Sequence, residues 1–88
     1  FNRSPVQTTN DGVIGEFLFE NATDSVALLA VKRESAADDA YIQFATQAAG
    51  GGLTEKLRIN SDGKVGIGMT NPIIELMVEN ASQSHITV

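Results

Sequence analysis

At 88 residues, with no cysteine and a single histidine, the chain is one domain or a piece of one, with no disulfide or thiolate metal site to staple it. Six Lys and Arg against eleven Asp and Glu leave a net charge of −5, and no basic face with interleaved aromatics is visible, which argues against nucleic-acid binding. No apolar run approaches the roughly 20 residues of a membrane span, and a domain this small buries only about 60% of its unfolded surface, so association with other chains is the expected staple.

The first nine residues lack a clean period, and Pro5 opposes both helix and interior strand, so an extended arm leads to a turn at Asn10-Asp11-Gly12. Residues 13–20 (VIGEFLFE) are β-branched and aromatic and predict a strand. Strict alternation puts Phe17 and Phe19 with Val13, and Leu18 with Ile14, so both faces are apolar and a partner chain is expected to cover one of them. Asn21-Ala22-Thr23-Asp24 is a second turn. Residues 25–33 (SVALLAVKR) suit a buried strand or a short helix; their length and the flanking turns favour the strand. Residues 34–39 read as a polar loop or one helical turn, and residues 40–47 (AYIQFATQ) as a strand with Ile42 and Phe44 on one face and Tyr41 and Gln43 on the other.

Gly50, Gly51 and Gly52 end that strand, and residues 53–56 lead into the most informative stretch, LRINSDGKVGIGMTNPIIELMV at 57–78. Leu57 and Ile59 alternate with polar residues, Ser61-Asp62-Gly63 makes a turn, and Val65 and Ile67 resume the alternation. Gly66 and Gly68 strip one side of that strand, which allows another backbone to approach. Asn71-Pro72 marks a corner or the start of a helical turn, residues 76–78 a short strand and residues 81–84 a polar linker. The segment Asp11-Gly12-Val13-Ile14-Gly15 has a weak echo in Asp62-Gly63-Lys64-Val65-Gly66. The chain opens on Phe1 and closes on an alternating Ser84-His85-Ile86-Thr87-Val88, so it is expected to be a segment of a longer protein or a processed product. Six or seven short strands spaced by turns, without a convincing helix, predict an all-β fold.

Catalytic and cofactor chemistry finds little support. His85 is the only imidazole, Asp38 and Asp39 are neighbours that would diverge on a strand, and residues 60–63 lack the downstream carboxylate of a calcium loop. Gly66-Ile67-Gly68 has no third glycine opening a helix, and the Gly50–Gly52 run lacks the Lys of a phosphate loop. No enzyme activity, cofactor or metal is expected. Asn21-Ala22-Thr23 and Asn80-Ala81-Ser82 fit the glycan-acceptor pattern, which is common by chance.

The stretch Leu57 to Gly68, followed by Thr70-Asn71-Pro72, Leu76 and Val78, resembles a segment of bacteriophage tail fibres and tailspikes that often lies upstream of a self-cleaving intramolecular chaperone. Ala40 to Thr46 looks like the strand that precedes it there, and Asn2-Arg3 with Thr8 to Gly12 looks like the opening of a neighbouring fibre repeat. Met69 stands where the family more often has Thr, and Ile73-Ile74 is more apolar than usual. None of the chaperone's catalytic residues falls in the match, so no activity is implied. The resemblance implies an elongated, intertwined homotrimer of short strands and hairpins, with residues 1–52 as a fibre repeat and 53–88 as a Gly-rich hairpin, proline corner and final strand, together one continuous fibre segment. It also implies a trimer core drawn from Phe17, Phe19, Ile42, Phe44, Leu57, Ile59, Val65 and Ile67, close packing between chains at Gly66 and Gly68, and water-facing Arg58 and Lys64. The expected role is structural, in an extracellular virion tail, supporting attachment to a host receptor or glycan. A trimeric bacterial adhesin and, less favoured, a glycan-cleaving tailspike module are the alternatives.

Overall fold

The computed structural model describes residues 2–3 and 5–78, without the side chains of 2–3. The expected linker at 81–84 and the alternating 84–88 segment with His85 lie outside the described residues.

The fold is all-β. Its strands are β1 (Asn2–Arg3), β2 (Val13–Asn21), β3 (Asp24–Arg33), β4 (Ala40–Gln47), β5 (Leu53–Ile59), β6 (Val65–Ile67) and β7 (Leu76–Val78). They form one sheet of seven strands in sequence order, a meander antiparallel at every step except the parallel β6–β7 pair. Residues 48–52 form the loop between β4 and β5, and those two strands pair with each other in the one sheet. A slab measuring 40 × 35 × 20 Å results.

Turn chemistry explains the meander. β2 and β3 are joined through Ala22 and Thr23, with Asn21 paired to Asp24. Ala22 takes φ +58°, an unfavourable conformation for a residue with a Cβ. Between β5 and β6 the Gly63 N–H donates to the Asn60 carbonyl at 2.9 Å, Gly63 takes φ +87°, and the Lys64 N–H donates to Asp62 Oδ1 at 3.3 Å. This is the Asp-Gly turn read from the sequence. Its echo at residues 11–15 is not a structural repeat, because there the positive φ falls on Asp11 (+69°) and not on the glycine.

The ambiguous 25–33 segment is strand, and the strand expected from 57 begins earlier, at Leu53. Two of the three register shifts in the sheet correct the strict alternation. The register slips between Val13 and Gly15, so Val13 pairs with Lys32 and leaves the face of Phe17 and Phe19. It slips again where Phe44 pairs with Leu57 but Ala45 pairs with Glu55, leaving Lys56 as the extra residue.

Candidate functional site: an open apolar sheet face

Following partners from strand to strand gives two rungs on one face. One reads Gly15, Val31, Ile42, Ile59, Val65, Leu76; the next reads Phe17, Leu29, Phe44, Leu57, Ile67, Val78. A third rung, Phe19, Ala27, Thr46, Thr54, turns polar. All eight large apolar residues expected at a shared core thus lie on one face, and side chains along it are open to water. Phe19 is 56% exposed, Leu76 51%, Phe17 43%, Ile67 42%, and Ile42 and Phe44 37% each. At about 4.8 Å per strand the apolar rungs span roughly 24 Å, and the patch is on the order of 500 Å². That is comparable to the largest apolar patches that monomers carry, roughly 300–600 Å², which are often functional.

The opposite face is closed over its middle strands by polar and aromatic groups, while Leu18 at its β2 end is 45% exposed. Its rungs run Glu16, Ala30, Gln43, Arg58, Gly66, Met77 and Leu18, Leu28, Ala45, Glu55. Ala30, Tyr41, Ala45 and Gln43 are buried here. The Tyr41 hydroxyl donates to Asp11 Oδ1 at 2.7 Å, tying the turn before β2 to the sheet. The Arg58 guanidinium lies 3.8 Å from the Tyr41 ring centroid and donates to both Glu55 oxygens, at 2.8 and 3.0 Å. Burial, and then the bond to Asp11, pushes the Tyr41 hydroxyl up to about 12. Arg58 therefore does not face water as the resemblance implied; its side chain is only 16% exposed. Lys64 is the more exposed of the two and pairs with Asp62.

The glycines also differ from expectation. Gly66 sits on the closed face, where a Cβ would lie 2.8 Å from the Met69 carbonyl oxygen and 3.3 Å from Pro72 Cδ. A backbone does approach its bare side, but it is this chain's own, folded back through the proline corner. Gly68 takes φ +79° and its N–H donates to the Lys56 carbonyl, so it serves the chain's exit from β6.

The acidic neighbours Asp38 and Asp39 separate in role. Asp39 accepts from the Ser35 hydroxyl and from the Ser35 and Ala36 N–H groups, each N–H at 2.8 Å, and these bonds, the hydroxyl's first, hold its carboxyl down at about 2. It organises the 34–39 loop. Asp38 is exposed. Among the described residues no group of three His, Cys, Asp or Glu side chains is placed to hold a metal ion, and no helix is long and apolar enough to cross a membrane.

A scan of protein-family models, a search of curated proteins and a search of solved structures each returned no match.

Proposed function

We propose that this chain is a structural segment of a phage tail fibre, whose apolar sheet face is covered by two further copies in a parallel homotrimer. The shaft or tip so formed would hold a host-attachment end, which meets a cell-surface receptor or glycan, away from the virion. The observation that carries the reading is the pair of apolar rungs, open across six strands, on a sheet whose polar face is the closed one. A monomer normally buries the apolar side of an antiparallel sheet and leaves the polar side wet; here the reverse holds. A standard interface takes about 800 Å² per partner, with an apolar core and a polar rim. The rungs supply the core, and Thr46, Thr54 and Lys56 at one end supply part of a rim.

Physics asks only that the face be covered; the number three comes from the resemblance of residues 57–78 to tail-fibre segments. Light scattering on the eluting peak of a size-exclusion column tests both. A mass three times the 9.3 kDa chain is expected. A dimer would keep the face as an interface and remove the fibre symmetry, and a monomer at all concentrations would refute the proposal.

A further inference from the structure

Covering the apolar face desolvates one cation at its end. Arg33 closes β3 two residues beyond Val31, so the pleat places it on the face of the apolar rungs. Its rung partner is Ala40, whose methyl group offers no acceptor. The Arg33 Nε is buried and has no hydrogen-bond partner among the described residues. Its one side-chain bond, from Nη2 to the Ser35 carbonyl, is 3.5 Å long, at the limit of a hydrogen bond. The ion pairs among the described residues are Arg58–Glu55 and Lys64–Asp62, and Arg33 is in neither. A guanidinium cannot shed its charge, so an interface closing over this end must bring an acceptor to it.

We infer that the acceptor is Asp38 of an adjacent copy. The inference rests on the self-association proposed above and adds the contact that orients it. Copies rotated about an axis parallel to the strands keep their axial levels, so the acceptor must lie at Arg33's own end of the sheet. Most described acids already hold a partner. Those without one are Glu16, Glu20, Asp38 and Glu75. Glu16 shares a rung with Ala30 on the closed face. Glu20 lies beyond Phe19 at the far end of the sheet. Glu75 precedes Leu76, whose rung is on the apolar face, so alternation turns Glu75 to the other side. Asp38 remains. It is exposed, in the 34–39 loop that joins Arg33 to β4, and Asp39 fixes that loop through Ser35 and Ala36. A carboxylate there matches the two-donor fork of a guanidinium.

Because no cis pair forms, the test is complementation between chains. Arg33→Asp and Asp38→Arg are purified separately and mixed, and native mass spectrometry follows assembly. Each alone places like charges together and should assemble at least about tenfold more weakly than the wild type; the mixture should recover oligomers containing both chains. A trimeric wild type whose two variants gain nothing on mixing, or assemble normally alone, overturns the Arg33–Asp38 pairing while leaving the self-association standing. A monomeric wild type removes both. Should Arg33→Asp fail to give the strand signal in circular dichroism, Asp38→Asn, in an exposed loop, decides the matter: about tenfold weaker assembly with an intact strand signal supports the pairing, and unchanged assembly overturns it.

Discussion

Replacing Phe44 with Glu gives the most direct test of the open face. Phe44 sits in the middle strand of the seven, between Leu29 and Leu57 on the second apolar rung. It is 37% exposed in the single chain. Full burial of such a side chain is worth up to about 3 kcal/mol, so covering the remaining third contributes about 1 kcal/mol per chain and about 3 kcal/mol per trimer. That alone weakens assembly by more than about a hundredfold, since each 1.4 kcal/mol is roughly a factor of ten. The glutamate adds to this. Around a threefold axis three carboxylates would meet at one level without cations, and unpaired charges in a dry interface cost several kcal/mol each, by rough estimate. In the isolated chain the carboxylate can still reach water, so the fold loses only the buried part of the phenylalanine, about 2 kcal/mol. Sedimentation velocity across a concentration series, with circular dichroism as the control for folding, separates the two effects. The expected result is a β-structured monomer. A Phe44→Glu chain that sediments like the wild-type oligomer would show that this face is not the interface.

Tyr41→Phe removes the hydroxyl that holds Asp11 and should cost about 0.5–1.5 kcal/mol in urea unfolding; no loss would mean that the hydroxyl bond is idle. Tyr41 is the only tyrosine in the chain, so its ionisation can be read by ultraviolet absorbance. Its folded pKa, near 12, lies above the ordinary value of 10.0, so the stability it lends is complete below pH 10 and drains away as pH rises toward 12; Tyr41→Phe should lose that drain, and a Tyr41 that titrates near 10 in the folded protein would refute the burial. Ala22→Gly should raise the unfolding free energy by about 0.5–1 kcal/mol, because relief of the left-handed strain at φ +58° outweighs the added chain entropy. Gly66→Ala forces a Cβ against the Met69 carbonyl and should cost about 1–3 kcal/mol. That loss should be independent of protein concentration, whereas a loss appearing only in assembly would return Gly66 to a contact between chains.

Alternation made much of the sheet legible. Ile42 and Phe44 opposite Tyr41 and Gln43, and Leu57 and Ile59 continued by Val65 and Ile67, follow from a period of two, and the Asp62-Gly63 turn follows from the chemistry of those two residues. The eight apolar residues were found together because each strand declares its own apolar side. What a period cannot carry is a bulge. One extra residue at Ile14 moves Val13 to the other face, and one at Lys56 lets Glu55 join the closed face beside Arg58. Nor does it carry contacts made across distance. That Arg58 would lie on Tyr41, or that Met69 and Pro72 would return to cover Gly66, depends on strands already being side by side.

Those distant contacts decide which side of the sheet is shut. Asp11, Tyr41, Arg58 and Glu55 form a linked set, and its Tyr41–Asp11 bond would be lost if the turn before β2 folded onto the apolar side instead. Hydrophobicity alone favours that alternative fold, since it would bury the rungs of Ile42 and Phe44 within one chain. The Tyr41–Asp11 bond opposes it, because moving the turn would break that bond and open the side of Tyr41 and Arg58 to water. On the proposed self-association, the polar set is a device for specificity: it holds the apolar side outward for the adjacent copies to cover. A double substitution makes the point measurable. Arg58→Met with Glu55→Leu removes the polar preference while adding apolar area, and should lower the protein concentration dependence of stability as the chain gains the freedom to close on its own rungs. If the doubly substituted chain remains as dependent on concentration as the wild type, the polar face does not hold the apolar face open.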